Sequence, residues 1–318
     1  MDTRRFASWA LAAVALLLAA AAAPPAPPTT LAQTGFDEAD RLLFTPQYPL
    51  WSDGAAKRRW LHVPRGRTID ASDADAWVFP PGTKLWKEFA LGGRRLETRL
   101  IERLPDGSWR FAAYAWSADG HEARLVPEAG AELSGVQGAP GGRWRIPSRD
   151  DCLACHGSAA VPVLGAGAVQ LSPPRPAVDG IDASTLVARG WLRNHRAMPM
   201  SFARSDVERA ALGLLHANCG HCHNRSVNRV PVPLTLAQSA ADPAGAAAAA
   251  LRSLTHLPAR RHGGPVVVPG DAPASLLLQR MATRAPRTRM PPLGTEVPDA
   301  DGLALVERWI TSLPTSEN

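Results

Sequence analysis

Four cysteines and the two histidines that follow them form the clearest chemical pattern in the chain. They make up two Cys-x-x-Cys-His strings, Cys152–His156 and Cys219–His223. Two thiols one helical turn apart can each form a thioether to one edge of a porphyrin, and the next residue then directs its imidazole at the iron. We therefore expect two covalently bound haem c groups. The predicted attachment residues are Cys152, Cys155, Cys219 and Cys222, and the predicted proximal iron ligands are His156 and His223.

Three other interpretations of the cysteines fit less well. A four-cysteine zinc site joins its pairs over about 15–20 residues, whereas residues 156–218 separate these two pairs. Two structural disulfides are compatible with an exported protein, but they leave both histidines unexplained. A thioredoxin-like redox site needs a pair that follows a strand in a βαβ unit, and neither pair has that setting.

The sixth ligand of each iron is harder to assign. Met290 is followed by two prolines that stiffen its loop, and we predict that it is the distal ligand of the second haem. A thioether opposite histidine raises the reduction potential. The alternative for Met290 is packing within a proline-rich turn. The distal candidates for the first haem are His195, Met198 and Met200, with His121 as a further possibility.

The part of the chain before the first motif is predicted to be a β-rich domain and linker, residues 37–150. Apolar runs cover residues 84–91, 94–104, 109–116 and 122–126, and Asp-Gly pairs between them are typical of hairpins. The tryptophans of this part could form a platform for carbohydrate or electron transfer, but core packing is the simpler role. Residues 128–150, rich in Gly and Pro, are interpreted as the linker.

The remaining chain is divided into a first haem-binding segment, residues 151–203, and a mostly helical domain, residues 204–318. Ser205 to Glu208 forms a capping box for a helix that runs through Leu215. A second helix is expected from Asp271 or Ala272 to about Met281, and a third from Asp301 to Leu313. The alanine-rich residues 240–250 are expected to be a surface loop or a helical insert. The predicted fold class is therefore α+β.

Residues 1–32 are predicted to be a signal peptide. Arg4 and Arg5 precede an apolar run, Trp9 to Ala23, that is shorter than the roughly 20 residues a bilayer requires. Residues 30–32 offer a cleavage site before Gln33. An uncleaved anchor, with association at the membrane surface, is the alternative. Either way, the body of the protein is expected in the periplasm.

The composition agrees with a globular protein of two packed units. The chain has 318 residues, of which 45% are hydrophobic, and a formal net charge of +6 from 35 Lys and Arg against 29 Asp and Glu. These basic residues are dispersed and do not form a groove with exposed aromatics, so we expect no nucleic-acid partner. A mildly basic surface is compatible with docking to an acidic protein.

The C-terminal third resembles the class I cytochrome c domain. The matching residues are Gly213, Cys219, Cys222, His223, Pro231 or Pro233, Met290 to Pro292, and Trp309. In that family the glycine permits a close helix crossing, and a proline carbonyl accepts the second N–H of the proximal histidine. The resemblance implies an α-helical cytochrome c-like fold for residues 204–318.

The whole chain is similar to a poorly characterised family of bacterial di-haem c-type cytochromes with a β-rich N-terminal part. The stretches that carry this similarity are residues 50–60, 79–89, 97–103, 152–156 and 217–224. The similarity implies transfer of electrons between periplasmic donor and acceptor proteins. Two alternatives remain: a peroxidase-like di-haem enzyme with an open first haem, or a cytochrome subunit that its β-domain docks to a partner oxidoreductase.

Overall fold

The structure, a computed structural model, has a mixed α+β fold, which confirms the predicted class. It describes residues 25–37, 40–173, 179–196, 203–225, 232–256 and 265–315. The strands are β1 Leu42–Leu43, β2 Ala56–His62, β3 Ile69–Asp70, β4 Lys84–Leu91, β5 Arg94–Arg103, β6 Trp109–Trp116, β7 Ala123–Leu125, β8 Ala131–Ser134, β9 Arg143–Ile146 and β10 Leu192–Arg193. The helices are α1 Arg149–His156, α2 Ala168–Leu171, α3 Ala183–Ala188, α4 Asp206–Leu215, α5 Pro243–Thr255, α6 Leu276–Ala282 and α7 Ala300–Ser312.

Six antiparallel strands form the main sheet, in the order β1-β2-β4-β5-β6-β7. The predicted hairpins are confirmed, because Gly107 and Gly120 take positive φ values in the turns that join β5 to β6 and β6 to β7. Such values favour glycine, since it has no Cβ to clash. Two smaller pairs complete the strands: β3 with β10, in parallel, and β8 with β9, antiparallel.

The outer face of the sheet has its own apolar core. Trp86, which is 1% exposed, packs there with Trp60 and Tyr114. Leu31, from the N-terminal segment, is 2% exposed in the same cluster, and its N–H donates to the carbonyl of Ala123 at 2.9 Å. The segment 25–37 is therefore packed against the sheet, although the sequence placed residues 25–32 in the signal peptide.

The expected linker, residues 128–150, contains the β8–β9 hairpin. Trp144, on β9, is buried against Phe89 of the main sheet. Gly135 and Gly138, at positive φ, form turns between the two strands. The glycines that suggested a linker thus serve a hairpin that covers one end of the sheet.

The helical part follows the sequence predictions in outline. Ser205 caps the start of helix α4, and its Oγ accepts from the Glu208 N–H at 3.1 Å. The Glu208 carboxylate accepts from the N–H of Arg204, one residue before the N–H of Ser205 that a capping box uses. Helix α6 begins at Leu276, later than predicted, because residues 271–275 form a turn. The alanine-rich stretch is largely helix α5, and Ala250 is fully buried in the core.

One large apolar cluster joins the sheet to the helices. It includes Leu61 and Leu85 of the sheet, Leu212 of α4, and Val306 and Trp309 of α7. Gly213, the expected contact of a close helix crossing, makes room for the ring of Tyr48, since a Cβ there would clash with the Tyr48 Cε1. The cluster contains residues on both sides of positions 150 and 203.

Candidate functional site

Helix α1 presents the first Cys-x-x-Cys-His string on a well-capped turn. Ser148 Oγ accepts from the Asp151 N–H at 3.0 Å, and Asp151 Oδ2 accepts from the Ser148 N–H at 3.1 Å. This reciprocal capping box satisfies backbone donors that the helix leaves free. Cys152, Cys155 and His156 follow within the same short helix, so the three side chains are held on a rigid element.

Two contacts fix the orientation of the His156 ring. Its Nδ1 lies 2.6 Å from the carbonyl oxygen of Pro162, and its ring packs 5.3 Å from that of Phe111. Burial lowers the pKa of His156 to about 4, so the imidazole is neutral. Since a carbonyl can only accept, Nδ1 carries the proton and Nε2 has a free lone pair. A carbonyl that accepts from the other ring nitrogen fixes the imidazole and makes Nε2 more basic.

The second string lies at the end of α4, where a π-helical turn, His216–Gly220, leads into it. Burial raises the pKa of the Cys219 thiol to about 12 and lowers the pKa of His223. Within the described residues, the buried Nδ1 of His223 has no hydrogen-bond partner. The carbonyl of Pro233 therefore does not accept a hydrogen bond from His223. The other candidate, Pro231, lies outside the described residues.

The two strings are in contact with each other. Their spacing in the sequence does not predict this contact. Cys222 Sγ lies 4.0 Å from the carbonyl oxygen of Ala154, and Asn224 Nδ2 donates to the carbonyl of Ser158 at 3.4 Å. A hydrogen bond between the thiols of Cys155 and Cys222 raises the pKa of the former and lowers that of the latter. Groups attached at the two strings would therefore lie side by side.

A deep cleft opens beside the first string. It holds about 250 Å³ of space, just below the 300–1,000 Å³ typical of small-molecule pockets. Its lining includes Cys152, Cys155 and His156 of α1 together with residues of β2, β4, β5 and β6. His221, from within the second string, also lines the cleft and was not singled out from the sequence.

The predicted distal ligands are placed in different regions. Met290 is flanked by Arg289 and Pro291, and both of these line the cleft of the first string. His195 lies elsewhere, 6.0 Å from the ring of Trp77, and lines a separate pocket. His121 is exposed in the turn between β6 and β7. Met198 and Met200 lie outside the described residues, so the structure brings none of the first-haem candidates it describes into the cleft.

All four cysteines are free, and the described residues hold no group of three or more His, Cys, Asp or Glu able to bind a metal ion. No described helix is long and apolar enough to cross a bilayer. Comparison with known protein families, with curated proteins and with solved structures found no match to this chain.

Proposed function

We propose that the chain is a di-haem c-type cytochrome of the periplasm that passes electrons between a donor and an acceptor protein. Two covalently bound haem c groups, one on each Cys-x-x-Cys-His string, are its cofactors. When bound, they supply the one-electron chemistry, and the protein contributes the ligands, the burial and the docking surface. The C-terminal helices would serve as a class I cytochrome c-like unit for the second haem.

The observation that carries this proposal is the contact between the two strings. Cys222 Sγ and the Ala154 carbonyl are 4.0 Å apart, although the two residues are far apart in sequence. Two haems attached there would be separated by a short gap of protein, as an electron relay requires. A pair of independent disulfides or separate metal sites gives no reason for the strings to meet.

The donor set of the first string fits a haem. The two thiols are one turn apart on α1, and the neutral imidazole of His156 offers Nε2 because Nδ1 donates to Pro162. The adjoining cleft is lined by α1 and by the main sheet, and most of its lining surface is apolar. The chain would thus orient the imidazole, and the apolar part of the lining would keep water from the iron.

Carbon monoxide binding to the reduced holoprotein tests the relay against the peroxidase-like enzyme. A relay with six-coordinate iron at both haems binds carbon monoxide slowly and turns over no peroxide. Rapid binding at one haem, together with peroxide turnover, would replace the relay by the enzyme.

A further inference from the structure

Three basic residues lie directly opposite one another across the centre of the main sheet. Arg59 of β2 pairs with Lys87 of β4, and Lys87 pairs with Arg99 of β5. Directly opposed residues of antiparallel strands share one face, and all three side chains line the cleft beside the first string. We call Arg59, Lys87 and Arg99 the cation row.

The cation row carries more positive charge than its surroundings balance. Glu97 accepts from Arg99 at 2.7 and 3.0 Å and from the indole N–H of Trp144 at 3.1 Å. Within the described ranges of the chain, no carboxylate forms an ion pair with Arg59 or Lys87. Arg59 is only 7% exposed, so water does little to compensate its charge.

The pKa values of the two unpaired cations show the cost of this arrangement. Burial lowers the pKa of Arg59 to about 10. Burial, followed by repulsion from Arg59 and Arg99, lowers the pKa of Lys87 well below its ordinary value. Like charges placed opposite each other destabilise a sheet, and buried charges without partners are costly. A bound anion in the cleft would offset both effects.

We propose that the cation row binds the propionate groups of the haem attached at Cys152 and Cys155. This inference rests on the proposed function and specifies how the β-sheet takes part in it. Arg99 is close enough to both thiols for its charge to act on them. From Arg99 the row extends across two strand spacings, about 10 Å, to Arg59. Because propionates leave a macrocycle at the edge opposite its thioethers, Lys87 and Arg59 would be the residues of the row that hold them.

The chemistry of the two cations suits this role. A guanidinium can bind a carboxylate through two parallel N–H donors, and Lys87 adds a compact charge beside it. The aromatic floor of the cleft supports the row, since Lys87 Nζ and Arg99 Cζ lie 4.7 and 4.3 Å from the centre of the Phe89 ring. The sheet is then one wall of the first haem site and not a separate binding module.

The test compares holoproteins with Arg59→Gln, Lys87→Gln and Arg58→Gln. Arg58 is the matched control, because it is the next residue on β2, is exposed and belongs to the opposite face. We expect the first two variants to keep both haems by mass, to lower the reduction potential of one haem and to shift its propionate bands in resonance Raman spectra. The potential falls because an unpaired propionate stabilises ferric iron. Arg58→Gln should leave both readouts unchanged.

Several outcomes would overturn the proposal. Unchanged potentials and propionate bands in Arg59→Gln and Lys87→Gln would show that the row does not contact the haem. An equal change of the reduction potential in Arg58→Gln would show that the effect comes from the net charge of the protein and not from contact with the propionates. If inorganic phosphate changes the spectrum of the wild-type holoprotein but not those of Arg59→Gln and Lys87→Gln, the row is open to an external anion and is not occupied by propionates.

Two further comparisons keep the test independent of folding and of the proposed function. If Arg59→Gln fails to accumulate, Arg59→Lys keeps the charge and should restore the holoprotein with a smaller shift in potential; a full loss there would contradict a charge role. Absence of haem from the wild-type protein would refute the proposed function. If the wild-type protein contains both haems but the variants show no change in reduction potential or propionate bands, only the inference about the cation row is refuted.

Discussion

Two buried histidines near the cysteine strings use the same ring atom in opposite ways. His156 Nδ1 donates to the carbonyl of Pro162, whereas His216 Nδ1 accepts from the backbone N–H of Gln238 at 3.0 Å. A neutral imidazole has one proton, so His156 has its lone pair on Nε2 and His216 has its proton there. Only His156 of the two is therefore prepared to bind iron, and His216 is a structural residue.

His216 predicts a loss of stability in mild acid. Burial lowers its pKa to about 4, so between pH 4 and its unfolded value near 6.5 the unfolded chain binds more protons than the folded chain. The free energy of unfolding should fall as pH decreases through this window, by up to about 3 kcal/mol. Urea unfolding of the holoprotein from pH 7 to pH 4 measures it. His216→Gln should flatten the profile, and equal slopes in both proteins would contradict the assignment.

Met290 predicts a change in the second haem. In Met290→Ala that haem should remain attached but have a lower reduction potential and a site open to added ligands, because the thioether that favours the reduced iron is gone. Redox titration and visible spectra with added imidazole measure both effects. Met281→Ala is the control, since Met281 packs against the core and its loss should cost about 2 kcal/mol of stability without lowering the potential. Unchanged spectra in Met290→Ala would place the ligand elsewhere.

At this scale the sequence identifies residues that act through local spacing. The two strings need only a helical turn between the cysteines, so their residues can be named without a structure. The Pro162 carbonyl, six residues beyond His156, could not be named, because spacing does not reveal the path of that loop. The contact of Cys155 with Cys222 and the cation row could not be named, because each depends on which distant segments meet. Arg59, Lys87 and Arg99 become neighbours only once the strand register is known.

Among the elements, the β8–β9 hairpin supports the sheet through one polar contact. Trp144 Nε1 donates to Glu97 at 3.1 Å, and Glu97 is fully buried. Trp144→Phe should lower the free energy of unfolding by about 1–2 kcal/mol through the lost hydrogen bond, in addition to the loss of packing. Trp77→Phe is the matched control, because the buried Trp77 Nε1 has no partner within the described residues. Equal losses in the two variants by urea unfolding would show that the hydrogen bond adds nothing.

The elements also show which patterns the sequence encodes locally. The apolar runs placed β4 and β6 at their observed bounds, with an Asp-Gly turn on each side of β6, and Ser205 placed the start of α4. The hairpin at 131–146 was taken for a linker because its strands are short and its turns are rich in glycine. Its identity is set by burial of Trp144 against the sheet, which is a tertiary contact.

At the scale of the whole molecule, the N-terminal segment predicts where export processing ends. Thr29 accepts from the Leu125 N–H at 2.9 Å, and Leu31 is buried under the sheet. Cleavage before Gln33 would remove these contacts, of which the burial of Leu31 alone contributes about 2 kcal/mol. We therefore expect the exported protein to begin at or before Pro28. N-terminal sequencing of protein from the periplasm determines this start. A protein that begins at Gln33 and is as thermally stable as one that begins at Pro28 would refute the expectation.

The β-part and the helices are also joined by direct contacts and by a shared core. The first string packs on the sheet through Phe111 and His156, and it touches the second string at Cys222. The shared core that joins Leu85 to Trp309 holds these parts at fixed spacing. A relay needs such fixed spacing, because the gap between its two haems sets how readily an electron passes.

The central claim is that both strings carry a haem, and the intact mass of the mature protein tests it most directly. The protein is produced in a host with competent cytochrome maturation, and its mass is measured under denaturing conditions that remove any unattached haem. We predict the mass of the processed chain plus two haem groups, falling to one in Cys152→Ala/Cys155→Ala and in Cys219→Ala/Cys222→Ala. A wild-type mass with one haem or none would contradict the account.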